Sequence, residues 1–204
     1  MTSVRTVARG GSDQPSERRE QLLQIAARLI ANRGYSATTV RDIADEAGIL
    51  SGSLYHHFSS KETILEEILR SFMDSLLARF EQLEASGGAP KDILDQLIDH
   101  AFATIDQYPD AVQLYQNESS FLAGQPGFEF VASESARIEE IWLRTIRRGQ
   151  QEGMFREDLE ATIVYRFIRD SVWSTVKWYH PGGRFTAVSV RDHYLDLLHG
   201  GLLR

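Results

Sequence analysis

The sequence contains no cysteine and no apolar run that approaches the roughly 18 residues needed to cross a bilayer. The missing cysteines exclude disulfides, thiolate catalysis and cysteine-ligated zinc. Residues 1–16 are polar and have no hydrophobic segment behind their arginines, so they do not resemble a secretory signal. From these absences we expect a soluble cytoplasmic protein that does not act at a membrane.

The common catalytic and cofactor motifs are also missing. The chain has no Gly-x-Ser-x-Gly, no phosphate-loop Gly-Lys-Ser/Thr and no dinucleotide-binding Gly-x-Gly-x-x-Gly. Its six histidines show no His-Glu-x-x-His spacing and do not stand with carboxylates at metal-ligand intervals. We therefore predict no catalytic residues, no metal site and no cofactor.

Positive charge is scarce, and it is distributed unevenly. The net charge is −7, which argues against a protein that coats nucleic acid through bulk charge. Residues 1–62 nevertheless carry 8 Lys/Arg against 7 Asp/Glu, whereas the remainder carries 14 against 22. A small DNA-reading surface near the N-terminus is compatible with this distribution.

Helical periodicity dominates what the sequence does contain. Apolar residues recur at spacings of three and four, strand-like alternation is missing, and all five prolines fall at segment edges. We predict an all-α fold with a small N-terminal three-helix unit and a larger helical body. The first predicted helix ends near residue 32. The others cover about 39–47, 51–58, 60–85, 90–107, 110–122, 128–151, 159–179 and 186–203.

Two short predicted helices joined by Glu46-Ala47-Gly48-Ile49 are typical of a helix-turn-helix. Gly48 stands where the turn requires a left-handed or tight backbone. The small side chains of Ser51-Gly52-Ser53 allow close approach to a groove, while Leu54 and Phe58 face inward. Hydroxyl, imidazole and ammonium donors around this helix suit phosphate oxygens. The residues predicted to contact DNA are Thr39, Arg41, Ser51, Gly52, Ser53, Tyr55, His56, His57 and Lys61.

These segments closely resemble the DNA-binding domain of TetR-family regulators. Residues 38–44, 47–49, 52–58 and 61–62 carry the resemblance, over about fifty residues. It implies a second short helix that enters the major groove, and a helical body that binds a small molecule and dimerises through its last two long helices. We accordingly expect a homodimer on double-stranded palindromic operator DNA, with a flexible arm at 1–15, a DNA-binding domain at 16–62 and an effector-binding and dimerisation domain at 63–204.

Arg169 is the most informative residue of the predicted body. Tyr165 and Trp173 stand four residues to either side of it, and no carboxylate lies three or four residues away. Such an arginine, if buried, needs an anionic or carbonyl partner. Three interpretations are open: an ion pair with an acid of another helix, for example Glu118; extension of the charged end into solvent; or contact with a bound effector. Arg166 has Asp170 four residues on, which predicts an exposed intrahelical pair. The residues predicted to bind the ligand are Arg169, Trp173, Tyr165, Arg166, Tyr115 and Phe121, with Arg144, Arg147 and Arg148 forming a basic edge that is either solvated or meets phosphates.

Residues 39–57 and 164–183 are similar to a narrower group, the TetR-type repressors that control cholesterol catabolism in actinobacteria. That resemblance implies an effector that is an acyl-CoA thioester of a steroid-ring remnant, methylhexahydroindanedione propanoate. Aromatic walls suit its bicyclic group, and Arg169 suits its carbonyl oxygens. Two alternatives remain open: a TetR-type repressor that answers a fatty acyl-CoA, a drug or a flavonoid, and an enzyme that processes acyl-CoA.

Overall fold

The computed structural model describes residues 14–122 and 124–203, with side chains from residue 17 onward. Most of the arm predicted at 1–15 lies outside the described residues. Its last two residues, 14 and 15, belong to the first helix, which begins at Gln14. The chain separates into two compact units, one up to Leu65 and one from Glu66. Within the described ranges the fold is all-α, as predicted, and the one β-type pairing there is an isolated bridge between Phe155 and Leu203.

The first unit contains α1 (Gln14–Arg33), α2 (Val40–Glu46), α3 (Ser51–Tyr55) and the start of α4 (Lys61–Ala85). Its core combines the apolar face of α1, represented by Leu22 and Ala26, with Ile43 of α2 and Leu54 of α3. All four side chains are at most 1% exposed. The helical spacing of these residues therefore builds a three-helix core that holds the second short helix at the surface.

The second unit contains the rest of α4 together with α5 (Pro90–Gln107), α6 (Pro109–Leu122), α7 (Glu129–Gln151), α8 (Ala161–Trp173), a 3₁₀ turn (Ser174–Lys177) and α9 (Ala187–Leu202). Helix α5 is its centre and packs against α6, α7, α8 and α9. Asp95 of α5 accepts a hydrogen bond from His199 of α9 at 2.7 Å, and Asp99 pairs with Arg191 of the same helix. None of the described helices is long and apolar enough to span a membrane.

Two predicted helices have wrong bounds. The segment predicted at 51–58 ends as an α-helix at Tyr55, because the amides of His57 and Phe58 both donate to the Leu54 carbonyl at 2.9 and 3.0 Å and close the turn. The segment predicted at 159–179 begins at Ala161 and changes to a 3₁₀ turn after Trp173, where a buried Thr175 side chain donates back to the main chain.

Candidate functional site

The helix-turn-helix is fixed by local contacts on both sides of its turn. Thr39 caps α2: its hydroxyl oxygen accepts from the Asp42 amide at 3.1 Å, and the Asp42 carboxylate accepts from the Thr39 amide at 2.8 Å. The hydrogen bond from the Thr39 hydroxyl, with that from its amide, lowers the pKa of Asp42. Gly48 has φ +66°, the left-handed conformation predicted for the turn. The Ile49 amide then donates to the Ala44 carbonyl at 3.0 Å and directs the chain into α3.

Helix α3 and the residue after it present polar side chains on their outer surface. Leu54 and Phe58 are 1% and 3% exposed, so the inward face predicted for this segment is confirmed. Tyr55 is 55% exposed, and His56 is exposed beside it. The side chains of Ser51, Ser53, Tyr55 and His56 make no hydrogen bond or ion pair within the part of the chain that the structure describes. These donors are available to a partner outside the chain.

Gly52 lies in the same surface, and no intramolecular contact requires it to be glycine. A Cβ built on Gly52 meets no heavy atom within 4 Å. Because the fold leaves this space open, the small side chain fits a role in close approach by another molecule.

Three other predicted DNA-contacting residues are used inside the chain. The Thr39 hydroxyl belongs to the cap of α2, and Arg41 lies 3.6 Å from the Asp45 carboxylate while remaining largely exposed. Lys61 donates to the carbonyl oxygens of Tyr35 and Thr38, both at 2.8 Å, with its ammonium 4.0 Å from the centre of the Tyr35 ring. Lys61 thus stabilises the loop before α2 with two of its three N–H donors, which leaves one for a phosphate. The His57 ring, which is half-buried, packs beside Phe58.

The second unit contains a cavity of about 100 Å³ between α4, α6, α7 and α8. Its apolar wall comes from Phe72, Met73 and Leu76 of α4, Ile138 of α7 and Trp173 of α8. Its polar lining comes from Tyr115 and Gln116 of α6, Ser135 and Glu139 of α7, and Tyr165 and Arg169 of α8. The structure therefore brings together four of the six residues predicted to bind the ligand.

Arg169 has a partner that the helical spacing did not indicate. Its Nε donates to Oδ1 of the next residue, Asp170, at 2.7 Å, and its guanidinium lies 5.6 Å from the centre of the Tyr165 ring. The ion-pair partner of Arg169 is therefore the adjacent residue and not an acid of another helix such as Glu118. The predicted pairing of Asp170 with Arg166 is wrong, because Asp170 pairs with Arg169. A side chain that bends along the helix surface can reach the adjacent residue, which a search at three and four residues overlooks.

Two tyrosines contribute hydroxyl groups to the cavity. Tyr115 and Ser135 share a hydrogen bond of 2.7 Å, and the Tyr115 ring packs 5.7 Å from that of Phe72. Burial, assisted by the charge of Glu139, raises the pKa of Tyr165 to about 12. At neutral pH the Tyr165 hydroxyl therefore stays protonated.

Phe121 and Arg166 do not line the cavity. Phe121 is 59% exposed in the last turn of α6, where the neighbouring Leu122 is the residue that faces the core. Arg166 is exposed on α8. The predicted basic edge is already paired with carboxylates: Arg144 with Glu84, Arg147 with Glu140 and Arg148 with Glu152.

Sequence reasoning missed the contribution of α4 to the cavity. Phe72 and Leu76 belong to its apolar face, and that spacing is the same for a residue in a packed core and for one beside a cavity. Gln116, Ser135 and Glu139 carried no signal either, because isolated polar residues on amphipathic helices are common.

Comparison with known families identifies the fold. Residues 22–68 match the family described as "Bacterial regulatory proteins, tetR family", and residues 87–202 match "Tetracyclin repressor-like, C-terminal domain". The chain belongs to the TetR family. This TetR-family chain is a DNA-binding transcriptional regulator and not an enzyme, because its similar relatives are named as transcriptional repressors.

Two relatives of this TetR-family regulator cover nearly the whole chain. The "HTH-type transcriptional repressor KstR2" of Mycolicibacterium smegmatis is 46% identical over 189 residues, which is 93% of this chain and 92% of that protein. The solved "ketosteroid transcriptional regulator KstR2 of Mycobacterium tuberculosis" is 45% identical, with a TM-score of 0.89 over 92% of this chain and 95% of that one. AibR, solved in complex with isovaleryl coenzyme A and operator DNA, is 23% identical with a TM-score of 0.78 over 88% of this chain and 97% of that one, which shows a shared fold alone.

Proposed function

We propose that this regulator is a repressor that binds a palindromic operator as a homodimer and is released by an acyl-CoA thioester from steroid-ring degradation. The likeness to the KstR2 repressors carries the proposal, because it extends through both the DNA-binding and the C-terminal regions at 46% identity. The M. tuberculosis relative is named a ketosteroid transcriptional regulator, which supports the steroid context.

The surface of α3 supports operator binding. Donors without a partner among the described residues are offered by Ser51, Ser53, Tyr55 and His56. They lie beside the open position of Gly52, which suits close approach to a DNA groove and its phosphates. The proposed contact set is completed by Thr39, Arg41, His57 and Lys61, whose ammonium uses two of its three donors on loop carbonyls. In a dimer the two α3 helices would lie roughly 34–36 Å apart, in successive major grooves.

Helices α8 and α9 carry the surface that supports dimerisation. Phe167 of α8 is 73% exposed and Leu197 of α9 is 80% exposed. They line one apolar groove that also includes Leu159, Val164 and Leu198. Exposed apolar side chains on two neighbouring helices are typical of an interface between identical subunits.

The cavity supports binding of a partly apolar molecule with carbonyl oxygens. Aromatic and aliphatic side chains form one wall, and the Arg169 guanidinium supplies donors for a ketone or the thioester. Its volume of about 100 Å³ is smaller than the roughly 300 Å³ or more of ligand-filled pockets, so an effector must enlarge it. Arg166, exposed on the same helix as Arg169, is the proposed contact for the CoA phosphates.

Enlargement of the cavity provides a route to release from DNA. Phe72, Met73 and Leu76 lie on α4, the helix that begins at Lys61 within the DNA-binding unit. An effector that displaces these side chains favours a different position of α4. If that position does not fit the operator, DNA and effector weaken each other's binding by the same factor.

Fluorescence anisotropy on a labelled palindrome from the protein's own promoter tests the proposal. Tight binding that is reversed by the bicyclic acyl-CoA thioester, but not by free CoA or a fatty acyl-CoA, is the expected result. Arg169→Met should keep operator affinity and lose the response, whereas Arg147→Met, a matched change on the exposed face of α7, should keep both. Release by another ligand class would refute the steroid assignment, and failure to bind the palindrome would refute operator binding.

A further inference from the structure

Tyr35, in the loop before α2, makes three contacts with the first two residues of α4. Its main-chain carbonyl accepts a hydrogen bond from the Lys61 ammonium at 2.8 Å, and the centre of its ring lies 4.0 Å from the same nitrogen. Its hydroxyl donates to Oε1 of Glu62 at 2.9 Å. All three residues belong to the DNA-binding unit. One loop residue therefore fixes both charged side chains at the start of α4.

The Lys61 ammonium is held in place while one of its donors remains. Its second acceptor is the carbonyl of Thr38 at 2.8 Å, which places the nitrogen beside Thr39, the residue that caps α2. An ammonium has three N–H donors, and the third has no acceptor among the residues that the structure describes. Lys61 is half-buried and can be reached from outside the chain. The third donor is thus available to a phosphate oxygen.

Glu62 is an exposed carboxylate directly next to Lys61, and it is engaged elsewhere. Its carboxylate accepts the hydrogen bond from Tyr35, and within the described ranges it forms no ion pair with Lys61. The hydrogen bond with its own amide, followed by that from the Tyr35 hydroxyl, lowers the pKa of Glu62, so the group is ionised at neutral pH. Without the hydroxyl, this negative charge would be free to turn toward Lys61 and compete with a phosphate.

The cost of ordering Lys61 explains why its position matters for binding. A lysine side chain that binds one phosphate must give up most of its rotamer freedom. In this unit much of that freedom is lost before DNA arrives, because two carbonyls and an aromatic face already hold the ammonium. Groups that are ordered in the free protein oppose binding less than groups that the partner must order. The strength of a phosphate contact from Lys61 therefore depends on Tyr35.

We propose that Tyr35 is a positioning residue for operator binding, whose ring holds Lys61 ready for a phosphate and whose hydroxyl holds Glu62 aside. The inference rests on the proposed function, since it requires that Lys61 contact the operator backbone. Tyr35 acts through Lys61 and needs no contact with DNA of its own. Because a phosphate contact carries no sequence information, the effect falls equally on operator and unrelated DNA.

Anisotropy titrations with the labelled operator and with an unrelated duplex of the same length test the assignment. Tyr35→Leu should lower both affinities by the same factor, about threefold or more, and Lys61→Met by at least as much. The double variant should bind like Lys61→Met alone, because the two residues act as one unit. Tyr108→Leu, the matched change at an exposed tyrosine of the second unit, should bind like the wild type.

Tyr35→Phe separates the hydroxyl from the ring. It keeps the aromatic face beside Lys61 but releases Glu62, so both affinities should fall by about twofold or more. Adding Glu62→Gln removes the competing charge and should restore them. Thermal melts show which variants are folded, and if Tyr35→Leu does not fold, Tyr35→Phe with and without Glu62→Gln decides the outcome.

Four results would overturn the role of Tyr35. The first is a Tyr35→Leu variant that loses operator affinity and keeps affinity for unrelated DNA, because Tyr35 would then set the position of α3 and not that of Lys61. The second is a full further loss when Tyr35→Leu is added to Lys61→Met. The third is a loss in Tyr35→Phe that Glu62→Gln does not restore. The fourth is a Lys61→Met variant that keeps both affinities.

The proposed function fails separately from this inference. A wild type that binds the operator no more tightly than the unrelated duplex would refute operator recognition. Equal losses in Tyr35→Leu and Lys61→Met on that duplex would still support the role of Tyr35 toward DNA phosphates. In the opposite case, a wild type that prefers its operator while Tyr35→Leu binds both duplexes normally would refute the inference and leave the proposed function intact.

Discussion

Replacing Gly52 by alanine should separate DNA binding from folding. The new methyl group enters open space, and the backbone of Gly52 lies outside the left-handed region. The substitution therefore introduces neither a steric clash nor backbone strain in the folded protein. Alanine is the better helix former by up to about 1 kcal/mol. The melting temperature should therefore stay constant or rise slightly. If α3 lies against a groove, however, the methyl group overfills a tight contact at a cost of about 1–3 kcal/mol. Operator affinity should then fall by roughly 5- to 150-fold.

Gly149→Ala is the matched control with the opposite expectation. A Cβ on Gly149 would lie 2.1 Å from Cδ2 of Phe155, whose side chain is fully buried. The clash exceeds the gain in helix propensity, and a net loss of about 1–2 kcal/mol lowers the melting temperature by roughly 2–8 °C. Anisotropy and thermal melts on both variants make the comparison. Operator affinity of Gly52→Ala within about twofold of wild type would refute close approach at this position.

Three further changes test the electrostatics and the assembly. Burial, then the charge of Asp74, raises the pKa of Glu134, whose Oε2 is buried without a hydrogen-bond partner among the described residues. Ionisation of Glu134 therefore destabilises the folded protein as pH rises through the pKa that Glu134 has in the folded state. Glu134→Gln should raise the melting temperature more at pH 8 than at pH 5. An equal gain at both would contradict this. Burial lowers the pKa of His100 below 6.5, so the unfolded state takes up a proton first as pH falls. His100→Gln should flatten the decline in melting temperature between pH 7.5 and 5.5, and an unchanged slope would count against the assignment. Leu197→Asp should give a folded monomer in sedimentation, since Leu197 is 80% exposed, and a persistent dimer would exclude the α8–α9 surface.

The fold was predictable because helix-forming information is local. Apolar spacing located the helices, and Gly48 marked the turn through a backbone conformation that glycine adopts without strain. The cavity was only partly predictable. Tyr165, Arg169 and Trp173 stood out as a charged residue between aromatics, but Phe72 of α4 has the same spacing as any core residue.

The remaining differences come from side-chain reach and tertiary placement. Asp170 binds Arg169 through a contact between adjacent residues, which helical spacing does not reveal. Phe121 is apolar, yet it faces outward because Leu122 occupies the inner position at that end of α6. Which of two neighbouring apolar residues turns inward depends on packing that the sequence does not express.

The position of α9 on α5 has a consequence for the order of folding. The contacts that join them, Asp99 with Arg191 and Asp95 with His199, connect residues 92 and 104 positions apart. In the N-terminal unit, by contrast, Arg28 reaches Glu46 across 18 positions. Contacts between distant residues slow folding because a long loop must close first. The DNA-reading unit can therefore form early on local contacts, whereas α5 acquires its last covering helix only after nearly half of the chain has been gathered around it.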